Sequence, residues 1–164
     1  MRKRAGRCQN VIGNWNAGRL TPRPENRGNR RVIGIVIVAH GGLAREYLAA
    51  IEHVVGPQSG IRAITMEADH DRQMKQAEIC IAADAVDSGD GVVMVTDIFG
   101  GSPSNLSLMA CEAANREIIY GANLPLLIKL AKSRSLDVQS AVGAALEAGR
   151  KYINSYSIPS GGSK

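Results

Sequence analysis

The chain has 164 residues, 45 % hydrophobic and 21 % charged, with only 4 % aromatic residues and a formal net charge of +5. These values predict one soluble domain with an aliphatic core, and no apolar run reaches the roughly 18 residues that span a membrane. The charge is unevenly placed: residues 1–30 carry eight Lys or Arg against Glu25 alone, while the rest carries twelve basic and fourteen acidic residues, so a basic surface for nucleic acid is excluded for the folded body.

Residues 1–31 are rich in Arg, Asn and Gly, include Pro22 and Pro24, and show no period, which predicts a disordered tail. A nonfunctional extension, a basic arm for an acidic partner and a targeting peptide are the three readings weighed. The extension is preferred, because the tail has no apolar stretch for a secretory signal and its Gly, Asn and Pro oppose an amphipathic helix. From Val32 the pattern changes. "VIGIVIVA" (32–39) reads as a strand buried on both faces of a parallel sheet. Leu43 to Val55 places apolar residues at helical spacing, and Gly56-Pro57 ends that helix.

"IRAITM" (61–66) is the second predicted strand, Asp71 to Ser88 the second helix, and "GVVMVT" (91–96) the third strand. A helix of small residues is expected from Ser104 to Ala114, then a strand at 117–122 and helices at Leu126–Ser133 and Asp137–Lys151. "YINSYSI" (152–158) is a candidate terminal strand, followed by a flexible end at 159–164. The alternation predicts an α/β fold: an open, mainly parallel sheet with helices on both faces and room for one antiparallel edge strand. The domain is placed at 32–158.

Ligands of open parallel sheets sit beyond the carboxyl ends of the strands. His40 and Asp97 both end apolar runs at such positions. "HGG" (40–42) and "DIFGGSPSN" (97–105) supply glycines and a hydroxyl at helix starts, where successive N–H groups attract anions. Gly41, Gly100, Gly101 and Ser102 are therefore the candidate phosphate-binding residues. An imidazole with one nitrogen held by a carboxylate presents the other as a nucleophile. His40 is the candidate nucleophile, Asp97 its orienting group, and Ser102 the hydroxyl for the transferring oxygens. Each alone has a bland reading as a cap or turn residue, and the joint pattern is sharper than its parts. His53 reads as a surface residue of the first helix, and His70, in the acidic loop 67–71, is a weak metal signal. Cys8, Cys80 and Cys111 show no metal or disulfide spacing, and Cys80 and Cys111 are expected as buried thiols. No metal site is predicted.

The stretches "IGIVIVAHGGLA" (33–44), "GVVMVTDIFGGSPSNLS" (91–107) and "YGANLPLLIKL" (120–130) resemble the IIA component of the mannose family of the bacterial phosphoenolpyruvate-dependent sugar phosphotransferase system. The resemblance covers about 33–155. It implies a cytoplasmic phosphoryl carrier that takes phosphate from phospho-HPr on Nε2 of the histidine matching His40 and passes it to a IIB component. The aspartate matching Asp97 would orient the ring and the serine matching Ser102 would contact the phosphoryl group. No metal or organic cofactor is implied. The family forms homodimers by exchange of an edge strand, for which "YINSYSI" is the candidate. The resemblance implies no direct membrane insertion and leaves room for association with a membrane permease complex. Phe99 stands where tryptophan is common in sugar-transporting members, and the sequence shows no fused IIB domain. A regulatory phosphocarrier that reports its phosphorylation state without transport is the alternative, and a subunit serving a dihydroxyacetone kinase is the weaker third. The expected docking rim is apolar: Leu43, Ile98 and Phe99.

Overall fold

The computed structural model describes residues 32–156 apart from Ala114, and the side chains of Met109 and Cys111 are also outside the description. The expected tail 1–31 and the C-terminal residues 159–164 lie outside the described residues. The strands are β1 (Gly34–His40), β2 (Ile61–Met66), β3 (Val92–Thr96) and β4 (Arg116–Tyr120). They pair in the order β2-β1-β3-β4, all parallel. The helices are α1 (Leu43–Val55), α2 (Arg72–Val86), α3 (Ser102–Ser107), α4 (Leu124–Lys132) and α5 (Val138–Lys151), with a 3-10 turn at Leu108–Glu112.

β1 explains why the sheet must be covered twice. Ile35, Ile37 and Ala39 point to one face and Val36 and Val38 to the other, and all five are fully buried. Ile35, Ile37 and Ala39 join Val93 and Val95 under Ile51 of α1, Leu127 and Leu130 of α4, and Ala141 and Ala145 of α5. Val36 and Val38 join Met94 under Ile79 and Ala83 of α2 and Leu106 of α3. Cys80, a predicted buried thiol, packs in this second layer at 6 % exposure.

Side-chain caps set the helix starts. Asp71, Asn123 and Asp137 each accept the amide of the residue three further on, at Met74, Leu126 and Ser140. The expected helix 104–114 is instead two short pieces. Pro103 lies in the first turn of α3, where its missing N–H costs nothing, so helix begins at Ser102. Five residues later Ser107 turns its buried hydroxyl onto the Pro103 carbonyl at 2.7 Å, a local competitor to the helical ladder, and the chain tightens to 3-10.

The strand expected at 152–158 is not formed over its described part. Tyr152 caps α5, and 153–156 are exposed and without regular structure. A strand requires a partner edge, and no described segment pairs with these residues as one. The possible antiparallel edge strand is thus absent among the described residues, and β2 and β4 are the open edges. No described helix is long and apolar enough to cross a membrane.

β1 lies between β2 and β3, so the chain leaves it toward both edges of the sheet. The crevice between the carboxyl ends of β1 and β3 is the switch point where open sheets bind ligands.

Candidate functional site

His40 ends β1 and Asp97 immediately follows β3. Parallel pairing of Val38 with Thr96 sets the two tips side by side. One carboxylate oxygen, Oδ2 of Asp97, accepts both the main-chain N–H of His40 at 2.9 Å and a bond with ring Nδ1 at 2.8 Å. The other, Oδ1, accepts the Ile98 amide at 2.9 Å. The Asp97 side chain is 13 % exposed and the His40 side chain 53 %. The orienting group is therefore sheltered while the ring is open to a partner. With Nδ1–H donated to the carboxylate, the neutral ring carries its free lone pair on Nε2.

Burial alone would raise the Asp97 pKa. The bonds from the His40 amide and ring, the electrostatic attraction of His40 and the Ile98 amide outweigh it and hold the carboxyl below its ordinary 3.8. Asp97 is thus a standing negative charge beside the ring. Tyr47 of α1 senses it: burial, then the Asp97 charge, raise its hydroxyl above the usual 10.0. Tyr47 donates to the Ala122 carbonyl at 2.9 Å, and the Ala122 amide donates to Thr96 O, one residue before Asp97.

The glycine turn closes over the ring from the other side. A Cβ added to Gly101 would lie 3.1 Å from His40 Cε1 and 3.5 Å from Nε2. Gly101 has φ −75°, which suits any residue, so here closeness and not conformational freedom calls for glycine. Gly100 differs, at φ +78°. Its N–H donates to Ser104 Oγ, so this candidate phosphate donor is already engaged within the turn. Gly41, at φ +51°, gives its N–H to the Met66 carbonyl. Ser102 follows Gly101 and opens α3.

The structure thus brings His40 and Asp97 into contact and sets Gly101 close to the ring, with Gly41, Gly100 and Ser102 in the two adjoining turns. Leu43, Ile98 and Phe99 are all exposed, as expected for a rim. Tyr120, unremarked in the sequence, joins them: its ring centroid is 4.7 Å from that of Phe99 at an interplanar angle of 51°. Tyr47 and Ser104 were also not legible as site residues. Tyr47 reads as one more apolar position of α1, although the spacing of Ser104 after the glycines is a capping signal. His53 is exposed on α1, and His70 Nδ1 bonds the Glu67 carbonyl. Among the described residues no three His, Cys, Asp or Glu side chains form a group that could hold a metal ion.

Comparison with known proteins bears on this geometry. The family model described as "PTS system fructose IIA component" (EIIA-man) matches residues 34–148. The chain is 33 % identical over 104 residues to YadI of Escherichia coli (strain K12), whose name assigns it provisionally to the phosphotransferase enzyme IIA components; the match covers 63 % of this chain and 71 % of YadI. It is 28 % identical to the PTS system mannose-specific EIIAB component of the same strain, covering 74 % of this chain but only 38 % of that longer protein. Among solved structures, the mannose/sorbose specific IIA subunit from Enterococcus faecalis superposes with a TM-score of 0.68 at 23 % identity, covering 77 % of this chain and 96 % of that one. At that identity the superposition speaks for the fold. The chain belongs to the mannose family of phosphotransferase-system IIA components.

Proposed function

We propose that this chain is a cytoplasmic phosphoryl carrier in which His40 Nε2 takes the phosphoryl group of phospho-HPr and gives it to a IIB component. The observation that carries the reading is the His40–Asp97 pair, with Nδ1 bonded at 2.8 Å in a ring that is half exposed. In the forward step the Nε2 lone pair attacks phosphorus and the bond from phosphorus to HPr breaks. The ring keeps Nδ1–H, becomes positively charged, and is stabilised by Asp97. The reverse attack, by a group on the IIB protein, regenerates neutral His40. Of the candidate phosphate-binding residues, Gly101 and Ser102 bind the phosphoryl oxygens in this reading, Ser102 contributing its hydroxyl, while Gly41 and Gly100, whose N–H groups are bonded to the Met66 carbonyl and Ser104 Oγ, shape the two turns.

The docking surface is the apolar rim of Leu43, Ile98, Phe99 and Tyr120. The same reading includes a homodimer. β4 is an open edge, and beside it lies a groove of about 380 Å³ lined by Ile118, Tyr120, Leu126, Val142, Leu146 and Ile153, with exposed Tyr152 and Tyr156 in the segment next to it. An exchanged strand from a second copy would cover both.

The test is intact mass after incubation with phosphoenolpyruvate, enzyme I and HPr. One added phosphoryl group, labile in acid and absent from His40→Ala, is expected. Labelling of the folded variant would remove His40 from the reaction. Labelling of the wild-type chain with no productive IIB acceptor would favour the regulatory role over transport.

A further inference from the structure

Gly100 lies in the turn beside His40 at φ +78°, a left-handed conformation that glycine adopts without strain. Both of its main-chain polar groups are held by side chains from the first turn of α3. Its N–H donates to Ser104 Oγ at 2.9 Å, and its carbonyl accepts Asn105 Nδ2 at 3.0 Å. The same Ser104 hydroxyl donates to the Gly101 carbonyl at 3.1 Å. Ser104 is 5 % exposed, so water does not readily substitute for it. α3 has no side-chain cap before it, since its N-cap is Gly101. Ser104 does that work from inside the helix and ties down two successive glycines in doing so.

We propose that Ser104 is a positioning residue for phosphoryl transfer at His40, its hydroxyl fixing the glycine turn against the ring and so setting the approach to Nε2. The inference rests on the phosphocarrier reading. Ser104 acts through the main chain of Gly100 and Gly101, and Gly101 runs so near the ring that a Cβ added to it would lie 3.1 to 3.5 Å from the imidazole edge. Without the hydroxyl, the Gly100 amide loses its acceptor and turns toward solvent, and Gly101 is free to shift over Nε2. A misplacement of about 1 Å in a reacting geometry can cost about 10²-fold in rate.

α3 supplies its own control. Ser107 is likewise buried and its hydroxyl also donates to an earlier carbonyl, that of Pro103 four residues back at 2.7 Å where Ser104 reaches three back, but it reaches no glycine of the turn. Ser104→Ala and Ser107→Ala therefore remove the same group from one helix, and Ser104→Thr keeps the hydroxyl.

The experiment is single-turnover transfer from phospho-HPr to each full-length variant by rapid quench, with HPr affinity, the urea midpoint and Gly100 amide exchange measured alongside. Ser104→Ala is expected to slow transfer about tenfold, a smaller loss than a full ångström of displacement would give, at unchanged HPr affinity and with faster Gly100 exchange. Ser104→Thr should recover most of the rate. Ser107→Ala should lower the urea midpoint and keep the rate. Wild-type transfer by Ser104→Ala, or equal slowing by Ser107→Ala, overturns the positioning role and leaves the carrier reading intact. A wild-type chain that takes no phosphoryl group from active phospho-HPr overturns both.

Discussion

A single oxygen of Asp97 receives both the main-chain N–H and the ring Nδ1 of His40, at 2.9 and 2.8 Å. The first bond holds the tip of β1 and the second holds the ring, so the carboxylate locates the imidazole in position and in rotation together. Orientation and charge are then separable by experiment.

Asp97→Asn keeps the size and an acceptor oxygen but removes the charge that favours the ring as it becomes positive. Phosphoryl transfer to His40 should fall by about 10²-fold without vanishing, because the nucleophile remains. Rapid-quench transfer from phospho-HPr measures it, and a wild-type rate would show that the charge is idle.

The same carboxyl sets an acid limit. Its folded pKa lies below 3.8, despite burial that acts to raise it, because of its bonds with His40 and Ile98. The stability it contributes is complete above pH 3.8 and is lost as pH falls from there through the lower folded value. Urea midpoints of wild type and Asp97→Asn should therefore converge on acidification. Parallel curves through that range would assign the acid loss to other carboxyls.

Gly101→Ala tests the close approach. The backbone tolerates alanine, but the new methyl would sit 3.1 Å from both His40 Cε1 and Ile98 Cγ2. The neighbours must yield by a few tenths of an ångström, at a cost of about 1 kcal/mol in stability. Transfer should fall about tenfold as the ring or the turn is displaced. His40 ring resonances in NMR spectra report the displacement directly, and unchanged shifts with an unchanged rate would mean the turn simply relaxes away.

Tyr47→Phe removes one hydrogen bond, to the Ala122 carbonyl, at about 1 kcal/mol near neutral pH. It also removes a titration. Burial first, and the Asp97 charge second, raise the Tyr47 pKa, so its contribution is present below pH 10.0 and is lost as pH rises from 10.0 through the higher folded value. The wild-type protein should lose more stability than the variant above pH 10.0. Denaturation midpoints across that limb decide it, and identical slopes would place the titrating group elsewhere.

Thr96 is fully buried, and its hydroxyl has no hydrogen-bond partner among the described residues. Thr96→Val, nearly the same shape, should keep the urea midpoint or raise stability by up to about 1 kcal/mol. A clear loss would mean that the hydroxyl is satisfied, by water or by a partner.

His40 and Asp97 were legible because each ends a run of β-branched or apolar residues, and a polar side chain survives at the end of a buried strand only where the chain reaches solvent. The turns were legible from Gly41, Gly100 and Gly101, and two helix starts from Asp71 and Asp137, since turn and cap chemistry acts over a few residues; α4 begins at Leu124, behind the Asn123 cap and two residues before the expected Leu126. The candidate terminal strand 152–158 forms no strand over its described part, 152–156, because its alternation is local while strand formation needs a neighbouring edge.

The sequence by itself determined the alternation of strands and helices, the two-sided burial of β1, and which chemical groups stand at strand tips. All of these follow from periodicity and short-range geometry. Only the tertiary structure decided that the two tips meet, since that depends on β3 pairing with β1 in the register that sets Thr96 against Val38. It also decided that Tyr47 reaches Ala122, 75 residues away, and that Tyr120 meets Phe99. Contacts between distant segments depend on the order and register of the whole sheet, and no local pattern carries that information.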